Sequence, residues 1–393
     1  RSRITLMHLL ALEPYHGGSH EAFLRGWREQ SQHRFTLLTL PAHKWKWRMR
    51  HAAITFAEQG RELVEDGATF DAVFASDMLN LAEFRGLAPW SIASLPTICY
   101  FHENQLTYPV RVAEERDLHF ALTNMASALA ADAVWFNSRY HRDDFLSALE
   151  GLLGRMPGRA PRWAVERIAA RARVQSPGVG QAVDGGRRAG GPLHVVWAAR
   201  WEHDKNPDGF FAALRLLGEQ GVDFRLSVLG ERFAETPPCF DEARDDLADR
   251  IEAWGYQESS QAYLEALAKA DVFVSTARHE FFGISAVEAA AGGVVPALPS
   301  RLAYPEIFAD TEGRPIEQFF YGETAEDLAL HLQCLSRLRE DGAAWRSLQA
   351  QARACAAPYA WSRRAAGMDE AVAACAEAKQ RGDAGGACSD PAN

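Results

Sequence analysis

The sequence predicts an α/β protein of two Rossmann-like domains that face each other across a cleft. Three observations carry this. Short apolar runs alternate with longer amphipathic stretches along the chain, as parallel strands joined by crossover helices do. The chain has 393 residues, against about 100–200 for an ordinary domain, so two cores are expected. A glycine-rich stretch without periodicity, QSPGVGQAVDGGRRAGGP at 175–192, separates two similar halves of that alternation.

In the first half the strand-like runs are Thr5–Leu12, Phe35–Leu40, Ala72–Ala75, Thr97–Phe101 and Ala133–Phe136. In the second half they are Leu193–Ala198, Arg225–Leu229, Asp271–Ser275 and Val294–Ala297. The spacing places a first domain at 1–184 and a second at 185–361. A helix at about 362–379 has an apolar side that must dock, with the first domain as its expected partner. The tail at 380–393 is polar and glycine-rich and is expected to be disordered.

Composition narrows the function. Apolar residues make up 47% and charged residues 24%, as in a soluble globular protein. No apolar run approaches the ~20 residues of a membrane span, and ITLMHLLALEP near the start reads as a buried strand rather than a leader. Six cysteines lie scattered without a C-x-x-C pair. This fits reduced thiols in a cytoplasmic protein and argues against a disulfide framework or a thiolate zinc site. No H-E-x-x-H occurs, and no metal or other cofactor is expected.

Four stretches place polar residues at the carboxyl ends of predicted strands, where open α/β sheets bind ligands. In HEFFGISAVEAAAGG, Glu280 lies in the loop after a strand, and Glu288 follows seven residues later within a helix. Gly283 lets backbone amides approach a ligand at that helix start. A glutamate at position 288, amid apolar neighbours, calls for a hydroxyl or cation partner. In VVWAARWEHDKNP, Arg200 and Lys205 follow a buried strand and suit a diphosphate, arginine by its fork and lysine as a point charge. In LEPYHGGSHEAF, Gly17 and Gly18 make a tight turn, with Ser19 expected to cap the following helix. In TICYFHENQLTYP, His102 leads Glu103, Asn104 and Gln105 out of a strand.

Taken together, EPYHGGSH, LPAHKWKWRMR, FHENQLTYP, RWEHDK, HEFFGISAVEA and YPEIF resemble the tRNA-queuosine α-mannosyltransferases, in the retaining, family-4-like branch of the GT-B glycosyltransferases. The resemblance runs in order from about Leu12 to Phe308; residues 150–190 depart from it. It implies a mannosyl transfer from GDP-mannose to queuosine in tRNA, with retention and without a metal. Arg200 and Lys205 would hold the diphosphate and stabilise it as it leaves. Glu280 would bond sugar hydroxyls, helped by amides near Phe282 and Gly283. Glu288 would hold the ribose. Tyr256 is placed near the base by its position after AWG, not by the resemblance. Gly17, Gly18 and Ser19 would close over the phosphates, and His102 would reach the transferred sugar. Fixed cations aimed at a departing diphosphate are the expected electrostatic catalyst.

The acceptor side rests on PAHKWKWRMRH at 41–51, four Lys or Arg around two tryptophans in a chain of formal net charge −10. In a helix Trp45 and Trp47 would point about 200° apart. In an extended loop Trp45, Trp47 and Met49 share one side, with Lys44, Lys46, Arg48 and Arg50 on the other. The extended form is expected, its rings stacking on bases and its cations meeting phosphates, with Asn104 and Gln105 nearby. Residues 150–190 add eight arginines against three acids. Two other readings share the fold: a GT-B enzyme with a lipid or polysaccharide acceptor, and an RNA-binding protein that has lost catalysis.

Overall fold

The computed structural model describes residues 5–109, 117–185, 190–233 and 236–382. It divides into two compact units, the first made of residues 1–178 and 361–393 and the second of 179–360. The dividing point therefore lies at Gly178 and Val179, a few residues before the sequence-based boundary. Most of the expected tail, residues 383–393, lies outside the described residues.

The first unit holds a parallel sheet of six strands: β1 (His8–His16), β2 (Arg34–Pro41), β3 (Ala72–Ser76), β4 (Thr97–Phe101), β5 (Ala133–Phe136) and β6 (Ala172–Val174). Their order is β2-β1-β3-β4-β5-β6, with every pair parallel. Apolar side chains cover both faces, as a doubly wound sheet requires. The chain leaves β1 toward one edge and crosses to the other after β2. The carboxyl ends of β1 and β3 thus flank the switch point, where such sheets open a crevice.

The C-terminal helix Trp361–Gln380 completes this unit. Met368, Val372 and Ala376 enter the core beside Phe23 and Trp27. Buried Asp369 accepts hydrogen bonds from Trp27 Nε1 (2.8 Å), Ser31 Oγ (2.7 Å) and the Gln32 amide (2.8 Å). Trp361 lies so close to Gly26 and Gly178 that a Cβ at either would fall 2.2 Å from its ring.

The second unit repeats the plan with β7 (Leu193–Ala198), β8 (Phe224–Leu229), β9 (Ile251–Gly255), β10 (Val272–Val274), β11 (Val295–Pro299) and β12 (Phe320–Tyr321). The order is β12-β11-β10-β7-β8-β9, and the switch point falls between β7 and β10. Sequence reading missed β6, β9 and β12. β6 and β12 span three and two residues, too short for periodicity, and β9 includes a charged, exposed Glu252.

The largest difference concerns residues 41–51. Trp45 begins a 21-residue helix, Trp45–Glu65, and Lys44 precedes it in the left-handed region (φ 52°). The two tryptophans therefore point apart. Trp45 packs on Phe120 (ring centroids 5.1 Å) and on buried Met49, whereas Trp47 is 69% exposed. The helical spacing Trp45, Met49, Ala52, Phe56 continues past residue 51, and burying that stripe outweighs the two-residue alternation of the first half-dozen positions.

Candidate functional site

In the second unit, the loops after β7 and β10 carry the charged residues. Lys205 Nζ donates to the carbonyl of His279 (2.8 Å) and lies 3.1 Å from Asp204 and 3.5 Å from Glu280. Thr276 Oγ1 donates to the Lys205 carbonyl (2.7 Å), which ties the two loops together. Burial disfavours the Lys205 charge, but Glu280 and Asp204 outweigh it and raise its pKa. Burial likewise works against the Glu280 charge. Lys205 and the amides at the helix start prevail, and the pKa falls. This pair stays ionised through the neutral range.

Glu280 Oε1 accepts the amides of Phe281 (3.2 Å) and Phe282 (3.4 Å). The amides expected to help bind a sugar are here turned on the neighbouring carboxylate. Gly283 begins the helix Ile284–Ala291 at φ +89°, and a Cβ there would strike Tyr304 at 2.6 Å, so only glycine fits. Glu288 lies on that helix with a hydrogen bond from Tyr263, and burial pushes its pKa up to about 7. Arg200 is half exposed, 3.4 Å from Glu202. Tyr256, just after β9, is 73% exposed.

The first unit gathers a different set at its switch point. β1 runs to His16, so Glu13 lies inside it, fully buried. Glu13 Oε1 accepts the Tyr15 amide (2.8 Å) and Ser76 Oγ (3.0 Å), and Oε2 accepts His20 Nδ1 (3.2 Å). The His20 ring stacks on His102 at 3.9 Å. The His102 amide donates to Asp77 Oδ1 (3.0 Å), and Asn137 donates to its carbonyl (3.0 Å). Donor atoms of Glu13, His20 and His102 come within 4.8 Å of one another, a spacing that a metal could use. The direct Glu13–His20 bond and the stacked rings give the group the form of an ion pair beside a neutral ring.

Gly17 and Gly18 stand at the start of the helix Gly18–Gln30. Ser19 does not cap it: Gly17 is the N-cap, without a side-chain bond, and Ser19 is exposed within the helix. Ala42, from the 41–51 segment, approaches Gly17 so closely that a Cβ there would meet it at 2.5 Å. The segment that carries Lys44, Lys46, Arg48 and Arg50 thus starts beside this loop. Lys46, at 5.6 Å, and Arg50, at 4.8 Å, stand over the rings of Trp45 and Phe120, and Arg48 donates to the Pro41 carbonyl. Asn104 and Gln105, expected at the acceptor, are turned inward. Asn104 is fully buried, its carbonyl oxygen accepting from the Leu106 and Thr107 amides, and Gln105 is 7% exposed. Both organise the turn after β4.

Sequence reasoning missed Glu13, His20 and Asp77. Glu13 was hidden by ending the first strand at Leu12, and His20 by its place on a helix. The available signal was a lone carboxylate within an otherwise apolar strand, which needs a partner.

Comparison with known proteins then bears on the whole chain. Residues 8–179 match the family described as tRNA-queuosine alpha-mannosyltransferase N-terminal, and residues 185–347 match glycosyl transferases group 1. The catalytic domain of starch synthase IV from Arabidopsis thaliana has a similar structure, with a TM-score of 0.71 at 11% identity, covering 95% of this chain and 100% of that one. Sucrose-phosphate synthase from Thermosynechococcus elongatus gives 0.68 at 16%, covering 93% and 98%. At such identities the likeness shows the fold alone, which is GT-B. A tRNA-queuosine alpha-mannosyltransferase of Drosophila melanogaster is 36% identical over 313 residues, 77% of this chain and 81% of that protein. With matched segments in both units and this relative alongside, the chain belongs to the tRNA-queuosine alpha-mannosyltransferase family.

Proposed function

We propose that this protein transfers mannose from GDP-mannose to queuosine in tRNA with retention of configuration. The observation that carries the reading is the meeting of Lys205 and Glu280 at the second switch point, in a chain of this family. Arg200 and Lys205 take the diphosphate, Glu280 the sugar hydroxyls, Glu288 the ribose and Tyr256 the base. The bond from the sugar carbon to the phosphate oxygen breaks as an acceptor hydroxyl bonds the same face. Its proton passes to the departing phosphate. Charge grows on the diphosphate, and Arg200 and Lys205 stabilise it there, the part a divalent metal would otherwise take. His102 meets the transferred sugar.

Two basic regions of the first unit support an RNA acceptor. One is the start of the 45–65 helix. The other is the bend between the helices Arg139–Arg155 and Trp163–Arg171. Arg155, Arg159, Arg162 and Arg167 are exposed there around half-exposed Trp163, with Arg167 4.4 Å over its ring. Local charge of this kind meets phosphates even in an acidic protein. No described helix is long and apolar enough to cross a membrane. The described cysteines are all free thiols, which supports a reducing, cytoplasmic setting.

A transfer assay decides the reading. Radiolabelled nucleotide sugars are offered with bulk tRNA or lipid extract, with and without chelator, followed by nucleoside digestion. The expected result is label in queuosine from GDP-mannose alone, undiminished by chelator. Label in lipid, or none in tRNA, would overturn it.

A further inference from the structure

The proposed reaction uses His102 but not Glu13 and His20, which lie beside it. We propose that Glu13 and His20 are positioning residues for His102: their buried ion pair places an imidazolium against the His102 ring and keeps that ring neutral and in one orientation. This rests on the reading of His102 as a sugar-facing group.

The geometry makes the pair charged and fixed. Glu13 has no exposure, and a buried carboxylate without a cationic partner is costly. Its Oε1 is satisfied by the Tyr15 amide and Ser76, which leaves Oε2 for His20 at 3.2 Å. His102 Nε2 stands 4.0 Å from the same oxygen, beyond hydrogen-bond range, and has no hydrogen-bond partner among the described residues. Two stacked imidazoles 3.9 Å apart cannot both carry charge cheaply. Glu13 bonds one of them, so the cation resides on His20. The His102 plane is fixed edge-on by Phe23 (5.1 Å) and Tyr100 (4.6 Å).

The charged groups facing each ring agree. Burial opposes a charge on His20, but Glu13 from β1 overcomes it, helped by Asp77 after β3 and Glu103 after β4, and the pKa rises to about 9. For His102, burial is joined by repulsion from His20 and from His141 on the 139–155 helix, and the pKa falls well below 6.5. The sign follows. The pair is present at neutral pH and is lost as pH rises through about 9.

The test compares Glu13→Gln and Glu13→Asp with wild type. In wild type, NMR of ring-labelled histidine should show His20 protonated beyond pH 8; in Glu13→Gln, where burial is no longer outweighed, it should titrate at or below its ordinary value. Transfer by Glu13→Gln should show kcat about 10–100-fold lower, the cost of a misplaced group, with KM for the nucleotide sugar nearly unchanged. Its alkaline limb should move to lower pH, and Glu13→Asp should restore much of the rate. If Glu13→Gln does not fold, His20→Gln serves: kcat should fall and the limb near pH 9 should vanish. Wild-type kcat and an unmoved alkaline limb in a folded variant, or ordinary titration of His20 in wild type, would overturn the inference. The NMR arm needs no substrate, so a wild-type enzyme that transferred nothing to tRNA would sink the proposed function and leave the ion pair judged on its own.

Discussion

At the second switch point Arg200 and Glu280 are partly open to solvent, 48% and 28% exposed, beside a buried Lys205. At the first the charged side chains are sealed, with Glu13 at 0% and His20 at 8%. Both sheets put their chemistry at the same topological place, yet they treat charge differently. Charges that keep some exposure can exchange contacts for a ligand. Sealed charges are already satisfied and can only shape a neighbour. On the proposed reading, this difference suits the second unit to an anion and the first to a positioned ring.

Three changes sharpen or break this contrast. The largest effect is expected from Arg200→Ala, which on the proposed reading removes a cation from the departing diphosphate. Transfer kcat should drop about 10²–10³-fold, as when one transition-state donor is lost, with the thermal midpoint unchanged because Arg200 is half exposed. Equal kcat would mean that the second site does not stabilise the leaving group. Next is Glu288→Gln, read by calorimetry of nucleotide binding. Affinity should fall about tenfold, in line with a lost charged hydrogen bond. In wild type binding should strengthen as pH rises through about 7, where Glu288 ionises; in the variant that dependence should be flat. The smallest effect belongs to the first unit. Replacing Lys44, Lys46 and Arg50 together by alanine should weaken tRNA binding several-fold at moderate salt and flatten its salt dependence by about two to three units of log–log slope, while nucleotide binding is unchanged. An unaltered slope would remove this surface from the acceptor site.

The same contrast explains what could be read from the sequence. Arg200 and Lys205 follow a buried strand directly, and Glu280 and Glu288 bracket a glycine at a helix start, so residue order alone places them. The pairing of Glu13 with His20 requires a strand end and a helix face to meet, which no local pattern states. Residues 41–51 failed for another reason. Their alternation over a short span fits a period of two, and the apolar residues after His51 override it. Asn104 and Gln105 were assigned outward because they are polar, although a buried turn also needs polar side chains to satisfy its backbone amides.

The C-terminal helix has a consequence for how the molecule is made. Because residues 361–380 belong to the first unit, the second is an insertion within it. A ribosome finishes the second unit at residue 360, while the first still lacks Met368, Val372 and the Asp369 that binds Trp27, Ser31 and Gln32. The part synthesised first is thus completed last. A chain stopped near residue 360 would yield a whole second unit attached to a first unit with an open core.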